Sequence, residues 1–138
     1  MTDIEIAIST LSGHTLALCK NGEVITSDER GVAPMVSFLK EGKDLTGYSA
    51  ADKVVGKAAA MLFIKAKVKT VHAVTLSKKA ESLFNAHGVT YSFENSAENI
   101  INRDKTGLCP MEQTVLDIDD IDNGVELIMK KLDELRKK

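Results

Sequence analysis

Apolar and polar positions alternate on both sides of one tight-turn signal. "TLALC" and "EVITS" flank "KNG", and Asn21-Gly22 supplies the positive φ angles that a two-residue hairpin requires. Upstream, Ile4, Ala7, Ile8 and Leu11 share one face of a helix that opens on the capping box "TDIE" and closes before Gly13. Ile4, Ile6 and Ile8 also alternate as a strand would, and the box favours the helix. "VAPMVSFLKEG" predicts a short helix with Val32, Met35, Val36 and Leu39 inward and Gly42 just past its end, and "TGYSA" a short strand. Asp52–Ala66, "DKVVGKAAAMLFIKA", is apolar over most of a helical circumference and predicts a buried helix.

The β-branched run Val68–Leu76 reads as a central strand covered on both faces. Ser77 is placed to cap a helix with Ala80, Leu83 and Phe84 inward, closed by Gly88 and followed by the strand "VTYSF". Strand, helix and strand at this spacing form a parallel βαβ unit. "IDNGVELIMKKLDELRKK" ends the chain as an amphipathic helix with Val125, Ile128, Met129, Leu132 and Leu135 as its apolar stripe. The sum is one domain over residues 1–138: an α/β chain folded as a three-layer α/β/α sandwich, with a mixed sheet joining an N-terminal hairpin to a parallel βαβ half.

Composition narrows the partners. At 138 residues the chain buries roughly two thirds of its unfolded surface without staples. Its 18 basic and 20 acidic residues leave a formal net charge of −2, so no basic field argues for nucleic acid or an anionic membrane. With no tryptophan and 4% aromatics, base-stacking platforms are scarce. Two cysteines suit reduced thiols in the cytoplasm. The opening "MTDIEIAIST" lacks the basic start of a signal peptide, and no apolar run reaches membrane-spanning length.

Candidate chemistry falls in two blocks. On the expected buried helix, Lys53, Gly56, Lys57 and Ala60 stand at i, i+3, i+4 and i+7, so two ammonium groups one turn apart share a stripe with small residues. An anion between them, at a helix N-terminus with free amides, accounts for that pattern; a solvated lysine edge is the plainer account. Asp52 either caps this helix or supplies an acid. In "LCPMEQ", Pro110 suits the first helical position, leaving Cys109 at the cap, where the helix dipole favours a thiolate. Cys109 is then a small residue starting a helix, a nucleophile, or a wall of a ligand cleft. Glu112 can close a cap or act as a general base. In "INRD", Arg103 can clamp an anion or pair with Asp104 or Glu112, with Asn102 and Asp104 as turn-formers.

The element order resembles the cytidine-deaminase-like fold, and "ADKVVGKAAA", "INRD" and "LCPMEQ" resemble the signature blocks of a small uncharacterised prokaryotic family grouped with it. The resemblance implies a fold and a cleft, with no reaction attached. A zinc deaminase requires H-x-E and P-C-x-x-C. The corresponding positions begin Asp52, Lys53, Val54 and Ser77, Lys78, Lys79, while His14, His72 and His87 stand at no metal-ligand spacing. The sequence therefore calls for no metal and no cofactor. Its leading reading is a domain that binds a small anionic metabolite, a nucleotide among the candidates, through Lys53, Gly56, Lys57, Asn102, Arg103 and Asp104. The alternatives are a zinc-independent enzyme using Asp52, Cys109 and Glu112, or an interaction subunit whose stripe faces a second copy.

Overall fold

The hairpin forms where the alternation places it. β1 (Leu16–Lys20) and β2 (Glu23–Ser27) pair antiparallel, and Asn21 and Gly22 turn between them with φ of 52° and 81°. The computed structural model describes residues 1–101 and 107–136. α1 (Asp3–Thr10) opens on the full capping box: the Thr2 hydroxyl accepts the Glu5 N–H at 3.3 Å, and the Glu5 carboxylate accepts the Thr2 N–H at 2.9 Å. Asp3 then accepts the N–H groups of Asn21 and Gly22, which ties the helix to the turn and holds its carboxyl below the ordinary value. Ala7 and Leu11 point inward, whereas Ile8 is 38% exposed and Ile6 takes its place against the sheet.

After α2 (Ala33–Lys40) the chain departs from the expected pattern. Asp52–Val55 belong to β3 (Ser49–Val55) instead of a helix; β3 pairs antiparallel with β1 and parallel with β4 (Thr70–Ser77). Two ladders outweigh the helical pattern, and the β-branched Val54 and Val55 fit a pleated surface. Gly56, extended at φ −101° and ψ −172°, is the N-cap of α3 (Lys57–Lys65). A buried strand running straight into a buried helix shows no change of apolar period at the join, so the pattern alone merges them.

The rest follows the local signals. Ser77 Oγ accepts the Ala80 N–H at 3.1 Å to cap α4 (Lys78–His87), and Gly88 ends that helix in the left-handed region. β5 (Thr90–Ala97) runs longer than "VTYSF", and α5 (Pro110–Thr114) and α6 (Ile121–Arg136) complete the described chain. The five-stranded sheet has the order β2-β1-β3-β4-β5, with β3, β4 and β5 parallel. The fold is thus the expected mixed α/β sandwich. On one face α1 packs Ala7 and Leu11 onto Ala17, Cys19 and Ala51. On the other lies the main core, in which Met61, Leu62 and Phe63 of α3 are fully buried, each worth roughly 1.5–3 kcal/mol. Gly124 of α6 has no side chain because the thioether of Met61 fills that space.

Candidate functional site

In open α/β sheets, ligand clefts form beyond the carboxyl ends of parallel strands, where the strand order reverses. Here a cavity of about 120 Å³ opens beyond the carboxyl end of β3, lined by Val32, Val54, Gly56, Ile100, Cys109 and Glu112 among others. Gly56 brings the backbone out of β3 and into α3. A methyl group there would lie 2.6 Å from Glu112 Cδ and 2.8 Å from Ile100 Cγ1, so glycine is needed for close approach.

Glu112, 7% exposed, explains that approach. Its Oε1 accepts the Lys57 N–H and its Oε2 the Ala58 N–H, each at 2.8 Å. The carboxylate of α5 therefore caps α3, a role distinct from both closing its own helix and acting as a base. It also fills the place where the free amides and positive end of α3 would receive an anion. Cys109 stands at the N-cap of α5 with Pro110 at the first helical position, as expected; its N–H donates to the Ile100 carbonyl at 3.0 Å, and its half-buried side chain lines the cavity.

Asp52 caps no helix. It lies in register with Leu16 and Ala73, two residues before Val54 and so on the same face of the sheet as that cavity wall. Burial pushes its carboxyl up to about 7, and one hydrogen bond from the Lys53 N–H at 2.8 Å opposes this only in part.

The expected lysine stripe does not exist, because its members sit in different elements. Lys53 is exposed on β3, on the α1 side of the sheet. Lys57 begins α3 with a side chain only 9% exposed, and its Nζ donates to the Leu116 carbonyl at 3.3 Å and to Asp119 Oδ1 at 3.2 Å. That ammonium opens onto a larger cavity of about 400 Å³ between α4 and the α5–α6 connection. Lys57, Lys79, Ser82, His87 and Asp119 form its polar wall, with Leu83, Ala86 and Leu116 as its apolar wall. The sequence pattern brought in Lys79 and His87 only as failed zinc-ligand positions and gave no role to Ser82. The available signal was the 79, 82, 83, 86 spacing, a stripe of α4 that flanks the inward Ala80 and Phe84 and shares Leu83 with the core. Asn102, Arg103 and Asp104 lie outside the described residues; the bridge from Ile101 to Leu108 flanks them.

Among the described residues, no three His, Cys, Asp or Glu side chains gather as metal ligands, and no helix is long and apolar enough to cross a membrane.

A family model, TM1506, described as "Domain of unknown function (DUF1893)", matches residues 8–132. Among solved structures, a DUF1893 family protein (TM1506) from Thermotoga maritima is similar with a TM-score of 0.86 and 28% identity, over 94% of this chain and 89% of that one. A diaminohydroxyphosphoribosylaminopyrimidine deaminase/5-amino-6-(5-phosphoribosylamino)uracil reductase from the same organism shows a weaker likeness. Its TM-score is 0.45 at 19% identity, over 67% of this chain and 35% of that one. No curated protein matches the chain.

Proposed function

The chain belongs to the DUF1893 family, whose description names no activity, and we propose that it is a cytoplasmic binding domain for a small anionic metabolite. The ligand lies in the trough between α4 and the α5–α6 connection. One observation carries this reading: the Lys57 ammonium is 9% exposed, yet the carboxylate that balances it, Asp119, is 93% exposed. A ligand oxyanion can replace Asp119 at little cost, since an exposed pair contributes little, whereas the buried ammonium keeps its need for a counter-charge. Lys79 and His87 add donors on the same wall and Ser82 adds a hydroxyl. Leu83, Ala86 and Leu116 offer an apolar surface to the rest of the ligand, and about 400 Å³ falls within the usual range for small-molecule sites. Phosphorylated metabolites, nucleotides included, carry this combination of chemistry.

A second reading rests on Asp52. A carboxyl raised to about 7 has the protonation behaviour of a general acid; it lies on the sheet face that carries Val54 of the 120 Å³ cavity, and Cys109 is the thiol that lines that cavity. Glu112 drops out of that scheme, because both of its oxygens are engaged by backbone amides. Binding ranks above catalysis because, among the described residues, no hydrogen bond links the Cys109 sulfur to a base.

The test is a thermal-shift series with inorganic phosphate, sugar phosphates and nucleoside mono- and diphosphates on the native chain, Lys57→Met and Lys79→Ala. A ligand at a hundred times its Kd adds about 2.7 kcal/mol, several degrees for a domain of this size. The proposal expects a shift that Lys57→Met abolishes and the exposed Lys79→Ala weakens. A shift that persists in both variants, or none with any of these anions, refutes it.

A further inference from the structure

α1 packs on β1, β3 and β4, and the β5 residues on that face of the sheet, Ser92, Glu94 and Ser96, are exposed. On this bare strip the register runs Ala51, His72, Ser92 in one row and Val74 beside Glu94 in the next, all on the α1 side. His72 is 9% exposed and makes a hydrogen bond through each ring nitrogen: Nδ1 to Ser92 Oγ at 2.7 Å, and Nε2 to Glu94 Oε2 at 3.3 Å.

The tautomer follows from the partners. An ionised carboxylate only accepts, so the neutral ring carries its proton on Nε2 and gives it to Glu94. Nδ1 is then a lone pair, and the short bond to Ser92 has the hydroxyl as donor. This is the polarity of a hydroxyl nucleophile, its general base and the carboxylate that orients the base, with the two ring nitrogens exchanged relative to the usual protease order. Ser92 is open to solvent, so an electrophile can reach it.

We propose that Ser92, His72 and Glu94 form an esterolytic site on the bare sheet face, independent of the anion trough and acting on small carboxylic esters. Ser92 Oγ forms a bond to the ester carbonyl carbon while its proton passes to His72 Nδ1. The bond to the alcohol oxygen breaks, and that oxygen leaves with the proton from Nδ1. Water, deprotonated in turn by Nδ1, forms a bond to the acyl carbon, the bond from that carbon to Ser92 Oγ breaks, and Oγ takes the proton back from Nδ1 as the acid leaves. Glu94 keeps the ring in the productive tautomer as a positioning residue.

The full chain is tested with p-nitrophenyl acetate, following nitrophenolate release, and with an alkyl fluorophosphonate whose adduct is located by peptide mass spectrometry. The expected result is an adduct on Ser92 that Ser92→Ala removes, and release that falls about 100-fold or more in His72→Gln. Because His72 is largely buried, Glu94→Gln serves as the second variant: its side chain is 58% exposed, and an amide that can donate or accept no longer selects the tautomer, so release falls there too. No adduct on Ser92, release that survives Ser92→Ala, or an unchanged rate in Glu94→Gln overturns the proposal.

Discussion

Truncating Glu112 to alanine should be among the most damaging single changes in the chain, although the residue lies in a helix of only five residues. Its carboxylate accepts two backbone N–H groups at 2.8 Å, from Lys57 and Ala58, at a buried helix start. Hydrogen bonds to an ionised acceptor contribute about 1.5–3 kcal/mol each, and the amides left behind lose their partners. Removing the carboxylate also relieves its desolvation, which offsets part of that loss. The net expectation is a loss of about 3–5 kcal/mol, which for a domain of this length lowers Tm by about 10–20 °C. Urea melts at neutral pH, fitted with a common slope, measure it.

Glu112→Gln separates capping from catalysis. The amide keeps one acceptor oxygen but sets an NH₂ against the other backbone N–H, so it should lose roughly half as much stability as alanine. A Tm drop of less than about 3 °C for Glu112→Ala refutes the cap as a major tie between α5 and α3. Were Glu112 instead a base for Cys109, both variants would melt like the native chain and differ from it only in reactivity.

Gly56→Ala should cost about 1–3 kcal/mol through overpacking, because the added methyl meets Glu112 and Ile100 while the backbone there suits any residue. The cost should shrink in the Gly56→Ala, Glu112→Ala double variant, and strictly additive urea midpoints refute the contact. Asp52, raised to about 7 from an ordinary 3.8, is protonated in the fold and ionised in the unfolded chain between those values. Unfolding then releases a proton, so stability should fall as pH rises from about 4 to about 7, by up to about 4 kcal/mol. Asp52→Asn should flatten that slope and raise Tm at pH 8; equal pH dependence in the two proteins refutes the assignment.

What the sequence showed plainly was local. The hairpin turn at Asn21-Gly22, the Thr2 and Ser77 caps and the left-handed Gly88 each depend on residues within a few positions, and each formed where its signal lies. The join of β3 and α3 depends on ladders to strands beginning at Leu16 and Thr70, and nothing in "DKVVGKAAA" marks it locally. That one boundary decided the reading of the site: a helix starting at Asp52 aligns Lys53 with Lys57, whereas a strand ending at Val55 sends Lys53 to the α1 side of the sheet and Lys57 into the opposite layer.

The same distance effect governs the anion. The helix start at Lys57 is a place that requires negative charge, but no local pattern says what supplies it. Here the supplier is Glu112, 55 positions away along the chain. A helix N-terminus satisfied by the protein's own carboxylate offers little to a ligand, since a phosphate would have to displace two charge-assisted bonds worth about 1.5–3 kcal/mol each. Lys57 is in the opposite situation: its backbone N–H is committed to Glu112, while its ammonium faces a trough and an aspartate already in solvent. Electrostatic need that the fold leaves loosely met is where a ligand would gain most, and the proposed trough therefore centres on Lys57 Nζ instead of on the backbone amides that the helix dipole alone would have indicated.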